Sequence, residues 1–461
     1  MNIILLSGGS GQRLWPLSNS IRSKQFLKLF KTGNDSYESM AQRVYRQIKS
    51  VSPDVGVTIA TGEDQVSTIK NQLGDDIDIC IEPCRRDTFP AIVLAATYLH
   101  DIKGVGLSES IAVCPVDPYV HDDYYKAVIS LMKSIETVSK KLMLLGVEPT
   151  YPSEKYGYII PENDHSISSV KKFVEKPDRI SAEKYIEQGA LWNAGVFSFS
   201  LEYIIEKSHE LIEYSDYYDL LEKYESLEKI SFDYAVSEKE TNIDVMRYKG
   251  EWRDVGTWNM MSEVMSENVK GNALLDDKCE NTHVINELGI PLLCMGCKNM
   301  IVAASNDGIL VSDKETSGYM KPYVEKLGNM AMFAEKSWGT FTVLDVQLNS
   351  MTVNIYLKEN HSMKYHSHEQ RSEIWTIVSG NGYVVVDGEK KLVKTGDTIS
   401  VSKGAKHLIH AQTDMNIIEI QIGESISVKD KTALILQNYL LAKIMKFTAL
   451  FAVLLFQTPK E

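Results

Sequence analysis

A chain of 461 residues exceeds what one typical hydrophobic core supports, so two or three domains are expected. Hydrophobic residues make up 44% and charged residues 24%, the balance of an ordinary soluble globular protein. A net charge of −13 argues against nucleic acid or an anionic membrane as a main partner, so an anionic substrate would need positive charge gathered locally.

The first predicted element is the apolar run Ile3-Ile4-Leu5-Leu6, one strand long and without the cationic start of a signal peptide. It feeds directly into GGSGQRLWPLSNSIRSKQFL (8–27), which closes neither as a Walker A loop nor as a dinucleotide fingerprint. Gly8, Gly9 and Gly11 let backbone N–H groups turn inward around phosphate oxygens. Arg13 offers a bidentate fork to a phosphate pair, and Lys24 a more mobile point charge. Arg22 adds to this basic stretch, and Arg85-Arg86 form a second one.

Short apolar strands then alternate with amphipathic helices: 55–60, 78–83, 110–117 and 141–147 read as strands, 37–51 and 91–102 as helices. That alternation predicts βαβ units and a mostly parallel sheet, whose ligands bind at the carboxyl ends of the strands. The glycine loop, Glu82-Pro83 and Asp117 all fall at such ends. Asp117 suits a hard cation such as Mg²⁺, although an N-cap for a helix beginning near Asp122 is nearly as good a reading of that residue alone. Asp254, in WRDVGTW (252–258), offers a second carboxylate between aromatics.

Residues 151–268 stay mixed α/β with more loops, and 283–313 carry short strands suggesting β-helix-like rungs. From about 335 to 425 the chain is nearly all β, with turns at Ser379-Gly-Asn-Gly, Asp387-Gly and Thr395-Gly-Asp, and predicts a small barrel. His366 and His368 alternate on one strand, with Glu373 following and His407 further on, a plausible transition-metal set of Zn²⁺, Co²⁺ or Mn²⁺ type. The six cysteines have no framework spacing, which predicts a reducing cytoplasm, and Cys294-Met-Gly-Cys297 reads as two semi-buried thiols. The apolar stretch 443–456 is too short and too broken by Lys443 and Lys446 to span a bilayer, so no membrane partner is expected.

Seven motifs occur in order: GGSGQRLWPLS…SKQFL, EPCRRDTFPA (82–91), CPVDP (114–118), GVEPTYPSEKYGYI (146–159), FVEKP (173–177), WNAGVF (192–197) and WRDVGTW. Together they resemble the bacterial mannose-1-phosphate guanylyltransferases. The resemblance implies a Rossmann-like, glycosyltransferase-A-like domain that joins GTP to mannose 1-phosphate. It implies that Gly8, Gly9, Gly11 and Arg13 hold the triphosphate, with Lys24 on the reacting phosphates. Asp117 and Asp254 are then the Mg²⁺ ligands, Lys176 the clamp on the sugar phosphate, and Glu175, Asn193 and Gly157 the sugar contacts. Glu82, Pro83 and Arg86 line the nucleotide side. Pro118 stands where the family often has His, and Asp87 and Phe89 depart from its usual Arg-Asn-Thr-Ala-Pro.

The spacing H-x-H-x4-E-x6-G…G-x7-G-x2-H resembles the cupin pattern, and RSEIWTIVSG resembles the mannose-6-phosphate isomerase domain fused to these guanylyltransferases. This implies interconversion of hexose 6-phosphates, with Arg371 as a phosphate or enediolate partner. His366 replaces the usual Gln, and Gln370 the usual His, so a metal cupin without isomerase activity, serving stability or sugar sensing, stays open. So do another sugar or base specificity and a non-catalytic sugar-nucleotide-binding subunit. The expected organisation is 1–268 nucleotidyltransferase, 269–334 β linker, 335–425 cupin and 426–461 an atypical tail, in a homo-oligomer.

Overall fold

The computed structural model describes residues 1–433 apart from 10–11, 20, 34–35, 138–140, 328–330, 425, 427–429 and 431. Gly11 and the apolar stretch 443–456 therefore lie outside the described residues. The chain forms two compact units, Met1–Asn329 and Met330–Glu461.

The first unit is built on a nine-stranded sheet. Its strands are β1 (Asn2–Leu6), β2 (Gly56–Gly62), β3 (Asp78–Glu82), β4 (Ser110–Pro115), β5 (Leu142–Val147), β6 (Tyr158–Pro161), β7 (Ile167–Val174), β8 (Leu191–Ser200) and β9 (Ile243–Tyr248). Their order is β3-β2-β1-β4-β8-β5-β9-β7-β6. The β1–β4 block is parallel, as the βαβ alternation predicts. Both faces of β1 are covered because its side chains alternate: Ile3 and Leu5 enter one apolar cluster and Ile4 the other. Helix Thr88–Asp101 is apolar on nearly every side and is correspondingly buried almost all round.

The second half of the sheet is mixed rather than parallel. β8 runs antiparallel to both β4 and β5, and its register slips between Asn193 and Phe197, with Gly195 at φ +70°. The slip is a bulge that re-aims the Asn193–Gly195 backbone.

Residues 269–305 form parallel rungs, but Gly308–Asp313, expected as a further rung, turns back antiparallel on Met300–Ser305. Val269–Gly271, His283–Asn286 and Met300–Ser305 pair in parallel, as do Ala273–Leu275 and Leu292–Cys294. These rungs pack against the segment that follows the glycine loop. Arg22 pairs bidentately with Glu287 at 2.7 and 3.1 Å, Asn19 with Asp307 at 2.6 Å, and the Ser305 hydroxyl donates to the Pro16 carbonyl at 2.6 Å. Arg22 is thus a buried fastener and not part of an anion-binding stretch.

The second unit is a cupin-like barrel of a six-stranded and a five-stranded sheet around Leu357, Trp375, Ile377, Ile409 and Ile417. Its expected turns are present, with Gly380, Gly388 and Gly396 all at positive φ.

Candidate active site

The glycine loop leaves β1 and is anchored from behind. Ser23 Oγ and Gln65 Nε2 donate to the Gly9 carbonyl at 3.1 and 3.3 Å, and Gln25 Nε2 donates to the Ser7 carbonyl at 3.2 Å. Neither glutamine stands out in the sequence, yet both are buried and fix where the loop starts and turns.

Two adjoining cavities open at the carboxyl ends of the central strands. One, of about 420 Å³, is lined by Gly8, Gly9, Lys24, Glu82, Arg85 and Thr88, among others. The other, of about 210 Å³, is lined by Tyr156, Gly157, Glu175, Asn193, Trp252 and Asp254, among others. Pro115, Asp117, Gly195 and Asp233 belong to both.

The two carboxylates that the sequence leaves 137 positions apart are brought together by a short antiparallel ladder, in which Asp254 is opposite Pro118, the neighbour of Asp117. Lys24 Nζ lies 2.9 Å from Asp117 Oδ2. Burial opposes ionisation of Asp117, but the Lys24 ammonium, with Arg13 further off, holds its carboxyl below the usual range. Arg13 is exposed and lines neither cavity. A Cβ on Gly256 would stand 3.0 Å from Asp254 Oδ1 and 3.6 Å from Arg13 Nη1, so both side chains close over that glycine.

On the second cavity, the Asn193 side-chain carbonyl accepts from Gly195 N at 3.0 Å and its amide donates to Asp233 Oδ1 at 2.8 Å. Lys176, at φ +45°, pairs with Glu175 and does not line the cavity as it stands. Burial works against its charge, yet the Glu175 carboxylate keeps its ammonium above the ordinary value.

Asp233 is the residue that sequence reading misses. It opens a π-helical turn, Asp233–Ser237, and such turns recur at functional sites. The only hint in SFDYAV is a carboxylate among apolar neighbours. Burial and the nearby Glu175 carboxylate push it up to about 7. Two neighbours in the chain hold cavity-lining carboxylate residues: Glu238 accepts from Glu175 N at 3.0 Å, and Tyr224, in the preceding turn Tyr224–Ser226, donates to Glu82 at 2.8 Å. Of the expected nucleotide-side residues, Glu82 lines the larger cavity but Pro83 and Arg86 do not. Arg86 instead donates to the Glu225 carbonyl, and Arg85 takes the lining position.

The second unit gathers His366, His368 and His407, whose donor atoms all lie within 4.8 Å of one another, all three buried. Their Nδ1 atoms face the carbonyls of Lys364, Asp430 and Ala405, which leaves the Nε2 atoms for a common centre. Glu373 Oε1 lies 3.1 Å from His368 Nε2 and Oε2 lies 3.4 Å from His407 Nε2. Burial alone would raise the Glu373 carboxyl, but the two imidazoles hold it well below the carboxylate range. The buried His407 Nε2 forms no hydrogen bond and has only the long 3.4 Å approach of Glu373, a site that a metal ion would satisfy. The donor set of three imidazoles and one carboxylate therefore fits a transition metal. Arg371 departs from expectation: it is buried, its Nε donates to Glu373 at 3.0 Å and its Nη2 lies 3.1 Å from His368 Nε2. In these contacts it braces the cluster.

A glycine loop, a paired lysine and two converging carboxylates at the edge of such a sheet define a phosphoryl-handling α/β fold. The chain belongs to the nucleotidyl transferase family, whose model matches residues 2–270, and residues 326–434 match that of the mannose-6-phosphate isomerase C-terminal domain. Among curated proteins, mannose-1-phosphate guanylyltransferase of Salmonella montevideo is 27% identical, covering 93% of this chain and 97% of its own. The putative mannose-1-phosphate guanylyltransferase of Vibrio cholerae is 29% identical, over 93% of this chain and 98% of its own. A solved structure described as mannose-1-phosphate geranyltransferase from Thermus thermophilus is 28% identical with a TM-score of 0.58, covering 71% of this chain and 98% of that one. No helix among the described residues is long and apolar enough to cross a membrane.

Proposed function

We propose that the first unit transfers GMP from GTP to mannose 1-phosphate, releasing pyrophosphate and forming GDP-mannose. The observation that carries this reading is Asp117 at the junction of two cavities, in contact with Lys24 and beside the ladder that sets Asp254, on the second cavity, opposite Pro118. A sugar-phosphate oxygen attacks the α-phosphorus of the nucleotide, and the bond to the bridging β-oxygen breaks as pyrophosphate leaves. Asp117 and Asp254 would hold Mg²⁺, which supplies charge neutralisation when bound. Gly8, Gly9 and Gly11 serve to hold the triphosphate, and Arg13 supports the leaving pyrophosphate. Lys24 exchanges Asp117 for the reacting phosphates, and Lys176 exchanges Glu175 for the sugar phosphate. Gly157, Glu175 and Asn193 position the sugar, and no covalent enzyme intermediate is needed.

A panel of nucleotides against sugar 1-phosphates, read by pyrophosphate release, tests the proposal. GTP with mannose 1-phosphate should give the highest kcat/KM, and failure with every pair would refute transfer altogether. A glucose or fucose nucleotidyltransferase would show instead as a different best pair.

For the second unit the proposal is a metal cupin, with His366, His368, His407 and Glu373 holding Zn²⁺, Co²⁺ or Mn²⁺, that interconverts fructose 6-phosphate and mannose 6-phosphate. The inward commitment of Arg371 favours a second reading, a metal cupin without isomerase activity. Chelator-sensitive conversion of fructose 6-phosphate, restored by added metal, supports the first, and its absence in the metal-loaded chain supports the second. Work in the cytoplasm as a homo-oligomer completes the proposal, and six free cysteines accord with a reducing compartment.

A further inference from the structure

Three of the six cysteines lie on the linker rungs, where the sequence leaves Cys294 and Cys297 a solitary pair. The fold supplies the partners. Strand Ala273–Leu275 pairs in parallel with Leu292–Cys294, Leu275 opposite Cys294, so the turns that follow them are stacked one on the other. Asp276 N donates to the Cys294 carbonyl at 3.1 Å, and Glu280 N to the Cys297 carbonyl at 2.9 Å. Across that stack, Gly296 N and the Cys279 thiol both donate to Asp276 Oδ1, at 2.8 and 3.2 Å. Cys297 N donates to Cys279 Sγ at 3.3 Å. Burial and the neighbouring thiols of Cys297 and Cys279 push the Cys294 thiol up to about 11.

We propose that Asp276, Cys279, Cys294 and Cys297 form a structural site for a soft divalent cation of the zinc type, which pins two successive turns of the linker. The pattern D-x2-C-x14-C-x2-C sets two donor pairs on two stacked turns, each pair with the two-residue gap of a zinc knuckle. Gly296, at φ +63°, permits the tight turn between Cys294 and Cys297. Three thiols and one carboxylate complete a tetrahedral shell from protein alone, which marks a structural site rather than a catalytic one. Cys294 is buried with Val284 and Val302, and Leu275 and Leu292 pack beside it, so one side of the ligand set rests on apolar side chains. Among the described residues only the three histidines of the second unit have donor atoms mutually within 4.8 Å. Closing the thiols onto an ion requires side-chain rotation, since the turns that carry them are already stacked, and it releases the thiol protons.

Cobalt added to the metal-free full-length chain distinguishes this site from the histidine set, because only sulfur ligands give a thiolate-to-cobalt charge-transfer band in the near ultraviolet. The proposal expects that band to reach the intensity of one thiolate-bound cobalt per chain, to be displaced by zinc, and to be lost in Cys279→Ser and in Cys297→Ser. Zinc should protect three of the six thiols from a thiol reagent in the unmutated chain, a readout that does not depend on how the variants fold. Asp276→Asn should keep the band but release zinc to a chelator about tenfold more readily. A missing band, a band that survives both serine substitutions, or equal thiol reactivity with and without zinc would overturn the site.

Discussion

Gly157 has no room for a side chain. A Cβ there would stand 2.5 Å from Glu175 Oε2 and 3.1 Å from the Phe173 ring, so Gly157→Ala must displace the carboxylate from the sugar-side cavity. We expect the KM for sugar 1-phosphate to rise by about tenfold or more, with the KM for nucleotide nearly unchanged, in steady-state kinetics. Asp233 makes a different kind of prediction. Its folded-state value, about 7, lies above the ordinary 3.8, so it gains negative charge beside Glu175 as pH rises through that region. An arriving phosphate dianion is then repelled more strongly. Asp233→Asn stays neutral and keeps an oxygen for Asn193, so the parent-to-variant ratio of sugar-phosphate KM should be flat in acid and climb above about pH 7. The linkage has the same direction: the folded chain binds the extra proton, and the stability contributed by this group is full in acid and lost as pH rises through about 7. Thermal unfolding of parent and variant across pH reads that slope directly.

Elements differ in how far the sequence discloses them. The parallel block was legible because short apolar strands alternate with helix-length stretches, although helix Thr88–Asp101, read as amphipathic over 91–102, is apolar nearly all round. β8 was not legible as an antiparallel insertion, since LWNAGVFSFS is apolar on both faces and says nothing about direction. The glycine loop and Asp117 could be singled out because their residue types suit phosphate and a hard cation at strand ends, and Asp254 as a carboxylate between aromatics, whereas Gly157, Glu175 and Asn193 came only from the family resemblance. Asp233, Gln25 and Gln65 could not, because their importance lies in partners 40 or more positions away. Arg22 shows the converse error. A cation in a basic stretch invites an anion, and only burial against Glu287 reveals that its charge is already paired. Because Arg22 is buried and Glu287 mostly so, Glu287→Ala should cost about 2 kcal/mol in denaturant unfolding. It should also weaken nucleotide binding, through the loop flank that Arg22 steadies.

At the scale of the whole molecule, the compact unit that holds the nucleotidyl site runs to Asn329 and includes the rungs. Asp307, Ser305 and Glu287 all reach back to residues 16–22, so the rungs complete the unit that bears the glycine loop. A fragment of residues 1–329 should therefore retain pyrophosphate release, whereas 1–268 should lose most of it and melt earlier in a thermal scan.

The same seam reaches Trp15, whose carbonyl accepts from the Trp258 indole at 2.9 Å and whose ring fills the space where a Gly308 side chain would go. A Cβ on Gly308 would meet that ring at 2.4 Å, and the backbone there already sits at φ +149°. Loss-of-function alleles at Gly308 would thus map, by position, to a region remote from the glycine loop. Biochemically they would behave as lesions of the glycine loop itself, and a second-site change that shrinks Trp15 is where their suppressors should be sought.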